Sequence, residues 1–137
     1  MKNFPDPERR MIDAFAQVSN GLVYISETDA EVLPFIDGEA DAVTKEAVLK
    51  AAGLPDDTRV EEVDFDQFFA RLSAVKDWYG DEEKKRAGQF ARLGEVLQGY
   101  LRELKVFRLG RVQIEIYIAG LDETNHLAGI RTRAVET

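Results

Sequence analysis

The last residues of the chain carry its most suggestive chemistry. Val135, Glu136 and Thr137 directly follow a stretch with the pattern of a buried strand, so the terminal carboxylate is expected to be held by folded structure, although most chains let their ends fray. A fixed terminal threonine offers three oxygens, two from the carboxylate and one from the hydroxyl, and oxygen is the donor that Mg²⁺ and other hard cations take. Thr137 is therefore a candidate probe for a metal held by another protein; the simpler reading is a strand that happens to finish there. Trp78, the one tryptophan, lies between Asp77 and Tyr79 in a connector. Its ring either closes over the core or is presented as an interface anchor, a use for which tryptophan is enriched. Glu27, just past a short apolar run, is open to a similar pair of readings: a hydrogen bond within its loop, or a presented carboxylate.

Other chemistries find little support. The chain has no cysteine, which removes thiol nucleophiles, disulfides and thiolate metal sites together. His126 is the only histidine, whereas zinc and nucleophilic sites gather several nitrogen or sulfur donors; at a strand edge it reads as structural. Asp64 and Asp66 suit the start of a helix better than a metal site. EF-hand spacing, a phosphate loop and a glycine-rich dinucleotide fingerprint are all missing. Paired acids of the glycosidase kind carry no specificity among 26 acidic residues. No cofactor and no catalytic set is expected.

A chain of 137 residues, 45% of them hydrophobic, suffices for one sizeable core, so residues 1–137 read as a single domain. Residues 1 to 20 lack a signal-peptide pattern, and no segment approaches the roughly 20 apolar residues that span a bilayer; a soluble, cytoplasmic protein is expected. The net charge of −8 is unevenly placed. Between Glu27 and Asp66 there are 13 acids against Lys45, Lys50 and Arg59, a local −10, while the rest sums to +2. Such a field disfavours direct nucleic-acid binding and favours a basic protein partner, unless the acidity serves only solubility.

Periodicity outlines the elements that must position these groups. Asp6-Pro7 opens a helix carrying Met11, Ile12, Phe15 and Val18, and Asn20-Gly21 closes it. Leu22 to Ile25 reads as a short buried strand, and Val32, Leu33, Phe35 and Ile36 suggest another within an otherwise patternless acidic stretch, 28–41. Thr44 caps a helix over 45–52 closed by Gly53, and Asp64 with Gln67 opens a short helix bearing Phe65, Phe68, Phe69 and Leu72. The longest periodic segment runs from Asp81 through Phe90, Leu93, Leu97, Tyr100 or Leu101 to Leu104. Strands follow over 106–109, from Val112 through Ile118, and over 126–135. Strands at both ends and helices between them predict an α+β domain with a mostly antiparallel sheet and helices on both its faces, a three-layer α/β/α sandwich.

Taken as an ordered set, several motifs resemble the nuclease A inhibitor family, proteins that block sugar-non-specific nucleases of the ββα-metal type. The likeness rests on Gly21-Leu22 through Ser26-Glu27, Asp77-Trp78-Tyr79 with Asp81-Glu82-Glu83, Arg108-Leu109-Gly110 and the strand after it, and Leu127-Ala128-Gly129-Ile130 through Val135-Glu136-Thr137. The resemblance implies a sandwich similar to the pathogenesis-related-protein fold that plugs the nuclease's active cleft, a monomer when free. It also implies partner contacts through Glu27, Asp77, Trp78 and Thr137, with Thr137 reaching the partner's catalytic Mg²⁺ in the complex. The alternative is a domain of the same fold serving a different, non-nuclease partner.

Overall fold

The computed structural model describes residues 6–137; residues 1–5, part of the stretch read above for a signal peptide, lie outside it. In chain order the elements are α1 (Asp6–Ser19), β1 (Val23–Ile25), β2 (Asp29–Glu31), β3 (Leu33–Glu39), α2 (Lys45–Ala52), β4 (Val60–Val63), α3 (Phe65–Ser73), α4 (Asp81–Tyr100), β5 (Arg102–Leu109), β6 (Gln113–Leu121) and β7 (His126–Val135). Local chemistry sets several boundaries. The Thr44 side chain accepts from the Ala47 amide, Gly53 ends α2 in the left-handed conformation, and Asp64 caps α3 by accepting from the Gln67 amide.

Five strands form one antiparallel sheet in the order β3-β7-β6-β5-β4. The alternation read in the sequence puts Ile114, Ile116 and Ile118 of β6 on one face with Ile130 and Ala134 of β7, and α1, α3 and α4 cover that face with Met11, Phe15, Phe68, Phe69, Phe90, Leu93 and Leu97. The opposite face carries Phe107, Leu109, Tyr117, Leu121 and Leu127, covered by Val48 and Leu49 of α2. The result is α+β with helices on both faces of the sheet, as expected. Burying these side chains is the main stabilising contribution, at about 1.5–3 kcal/mol for each large one.

Several elements depart from the sequence reading. The run from Leu22 to Ile25 is not a buried strand: only Leu22 is buried, and β1 pairs with β2 in a separate two-stranded arm, one side of which lies on α3 through Tyr24 stacked on Phe68. Leu104 does not continue the face of α4. The helix ends at Tyr100, Leu101 turns extended, and a register irregularity in β5, with Glu103 in a left-handed conformation, returns Leu104 to the same core from the sheet. β5 and β6 are each longer than the patterns suggested. β4 was not anticipated, because Val-Glu-Glu-Val lacks strand alternation; it exists by pairing with β5.

The acidic segment supplies both outer strands. Asp37 and Glu39 stand on β3, Glu61 and Glu62 on β4, and charges on sheet edges discourage pairing with another chain.

Gly129 marks the tightest spot in the sheet. It lies between Phe35 of β3 and Ala119 of β6, and a Cβ there would sit 1.9 Å from the Ile118 carbonyl oxygen. Gly129→Ala should therefore destabilise the protein by about 2 kcal/mol or more in urea unfolding; a change within about 0.5 kcal/mol would contradict this packing.

Candidate functional site

From the last residue of β7 onward the chain is held residue by residue. At the β1–β2 turn the Ser26 hydroxyl accepts from the Val135 amide at 3.0 Å, and the Glu27 amide donates to the Val135 carbonyl at 3.3 Å. Next, the Glu136 amide donates to the Val112 carbonyl at 2.9 Å. Finally, the Glu27 carboxylate accepts twice from Thr137, from its amide at 2.5 Å and from its hydroxyl at 2.8 Å. All three terminal amides are thus paired, as expected of a terminus held by folded structure.

Glu27 and Thr137 both stay exposed, and no cationic side chain among the described residues pairs with the terminal carboxylate. The Thr137 hydroxyl and the Glu27 carboxylate thus meet at an exposed corner, oxygen groups of the type that hard cations take. Ile25 and Val112, each about half exposed, adjoin this corner through Ser26 and Glu136.

Glu136 is fixed on its other side by Arg108 of β5. The guanidinium bonds the Glu136 carboxylate and donates from Nε to Glu61 Oε1 of β4 at 3.0 Å. Burial works against the charge of Arg108, but the bond to Glu136 and the charges around it more than offset that, and its pKa is raised.

Trp78 does not lie over the core. Asp77 and Trp78 are the two central residues of a turn closed by the Tyr79 amide donating to the Lys76 carbonyl at 3.0 Å. Both are exposed, Trp78 at 72%, and the indole meets only the edge of the Tyr79 ring. The turn is anchored on both sides, by α3 before it and by α4 after it, where the Glu83 carboxylate accepts from the Gly80 amide at 2.9 Å. Among the described residues no hydrogen bond, ion pair or ring contact links Asp77 or Trp78 to the Glu27–Thr137 corner.

A second group was not foreseen. Glu8 and Asp122, both buried, lie with His126 so that a potential donor atom from each falls within 4.8 Å of the others. Its hydrogen bonds close internally. Asp122 Oδ1 accepts from the Thr124 amide, the Thr124 hydroxyl and the His126 amide, each at 2.9 Å. Having donated to Asp122, the Thr124 hydroxyl accepts from His126 Nδ1 at 2.7 Å, and Glu8 Oε1 lies 3.1 Å from the same nitrogen. The corner ties α1 to the β6–β7 turn, in line with a structural histidine.

Arg108, Glu136 and Ser26 join the site as well, although they are absent from the residues that type and spacing single out. Arg108 alternates with Val106 on the face that faces the core, and a charge at such a position demands partners; that signal was available.

The Thr137 hydroxyl, and next its amide, hold the Glu27 carboxyl below the usual glutamate range, with desolvation opposing. A lowered folded pKa means that the clasp is present at neutral pH and is lost as pH falls through that lowered value, below the usual range. The ¹⁵N–{¹H} NOE of Thr137 should therefore drop on acidification below the glutamate range, and Glu27→Gln should abolish that titration. An acid-independent Thr137, or an unchanged titration in the variant, would contradict the clasp.

No helix among the described residues is long and apolar enough to cross a membrane. Comparison with curated proteins returns no match. Among family models, the one described as Nuclease A inhibitor-like protein matches residues 9–137, and so takes in the terminal clasp, the Asp77-Trp78 turn and all seven strands. By that match the chain belongs to the nuclease A inhibitor-like family.

Proposed function

We propose that this protein is a stoichiometric inhibitor of a sugar-non-specific, metal-dependent endonuclease of the ββα-metal type. It acts by occupying the enzyme's active cleft and catalyses nothing itself. Glu27, Asp77, Trp78 and Thr137 make the contacts, and Thr137 offers its oxygens to the partner's catalytic Mg²⁺. Family membership supports a nuclease as the partner. The observation that carries the finer reading is the Glu27–Thr137 clasp: it fixes the terminal residue through its amide and hydroxyl and leaves the carboxylate uncommitted.

A nuclease cleft must be basic and hold a metal in order to bind and cleave a phosphodiester, and a carboxylate can stand in there for a phosphate. The net charge of −8 speeds encounter with such a cleft, a long-range effect weakened by salt. Affinity comes from a few anchors near the centre. Trp78 has the form of one, an indole displayed at the tip of an anchored turn, and Ile25 and Val112 add apolar surface beside Thr137.

Two variants test the reading against a purified non-specific nuclease. Trp78→Ala should weaken inhibition by about 2 kcal/mol, roughly 30-fold in Kd, with the fold intact by circular dichroism; unchanged inhibition would remove Trp78 from the interface. One residue appended to Thr137 moves the free carboxylate from its place and should also weaken inhibition. Full potency of the extended protein would refute the metal contact.

A further inference from the structure

Arg108 occupies an unusual position for a charge. On β5 it is the register partner of Glu61 on β4 and of Ile116 on β6, with a side chain only 16% exposed. Its guanidinium joins two carboxylates that arrive from different directions, Glu61 from the outer strand and Glu136 from the segment after β7. Glu136 precedes Thr137, and its amide is already fixed on the Val112 carbonyl. The side chain and backbone of the penultimate residue are therefore both tied to the rigid β5–β6 hairpin, independently of the Glu27 clasp on the β1–β2 arm.

We propose that Arg108 is a positioning residue for inhibition: by gripping Glu136 it fixes the direction in which the Thr137 carboxylate leaves the protein. The inference rests on the reading of Thr137 as the group that meets the partner's metal.

Solvent screening and the geometry of metal binding separate this role from a merely stabilising one. First, the carboxylates that Arg108 holds are about half exposed, 54% for Glu61 and 50% for Glu136, so water screens each pair from one side, and glutamine in place of the largely covered Arg108 removes the charge together with its demand for partners. Second, oxygens bind Mg²⁺ within a narrow range near 2.0–2.1 Å and in strict octahedral geometry, so even a small swing of the terminal residue removes an oxygen from its place. A contact with little effect on folding can thus have a large effect on inhibition. The planar fork also explains arginine here. Lysine presents a point charge and cannot aim separate N–H groups at two carboxylates with fixed orientation.

The test combines a double-mutant cycle with a partner-free measurement. Arg108→Gln should weaken nuclease inhibition about tenfold or more while shifting the melting temperature by no more than a few degrees, and Arg108→Lys should recover only part of the loss. In a background lacking Thr137 the same Arg108→Gln change should alter inhibition less than twofold, because the group it positions is gone. Glu136→Gln provides a second route that leaves Arg108 in place and should behave in the same way. In the free protein, Arg108→Gln should lower the ¹⁵N–{¹H} NOE of Thr137 and leave that of Trp78 unchanged. An equal loss of inhibition with and without Thr137, no loss at all, or a Thr137 as ordered in the variant as in the parent would each overturn the proposal. Failure of the unaltered protein to inhibit any such nuclease is a different outcome, one that removes the proposed function and this inference with it.

Discussion

One carboxylate accepting two hydrogen bonds from one residue is the constraint on which the exposed corner depends. Glu27 takes both the amide and the hydroxyl of Thr137, and so fixes a residue that would otherwise have free rotation about its last backbone bonds. Fixing it in advance removes an ordering cost that a loose terminus would meet on binding. The clasp works because Glu27 is itself held: its amide is bonded to Val135, and neighbouring Ser26 accepts from the same residue, so arm and tail restrain each other.

The sandwich makes this restraint possible. β6 and β7 are the central strands, paired along their whole lengths and buried by helices on both faces, so β7 delivers its end at a fixed place. The β1–β2 arm lies outside the five-stranded sheet yet rests on α3 through the Tyr24–Phe68 stack. The same α3 leads into the turn that displays Asp77 and Trp78, so the helix supports the arm at one point and launches the indole at another. Each group in the proposed contact thus lies in a turn or tail that is anchored to a helix or strand, an arrangement that lowers the ordering cost of binding.

Much of this was legible in the sequence, for local reasons. Thr44 and Gly53 frame α2, Asp64 caps α3, and alternation marks the dry faces of β6 and β7, because each signal depends on residues a few positions apart. The strands β2 and β4 were not legible: Asp-Ala-Glu and Val-Glu-Glu-Val have little strand character and are extended only because β1 and β5 offer edges to them. Thr137 and Glu27 could each be singled out by type and place, but their direct contact spans 110 positions and no local pattern announces it. The partners of Arg108, 47 and 28 positions away, were hidden for the same reason. For Trp78 the sequence left core lid and outward anchor open, and the backbone turn at Lys76–Tyr79 decides for the outward orientation.

The central claim, that Thr137 meets the metal of a nuclease, is most directly tested by paramagnetic relaxation in the complex. With Mn²⁺ replacing Mg²⁺ in a ββα-metal nuclease, the resonances of ¹³C-labelled Thr137 should broaden beyond detection, while those of Ala119 in the buried centre of β6 persist. A complex that inhibits the nuclease and leaves Thr137 sharp would contradict the account.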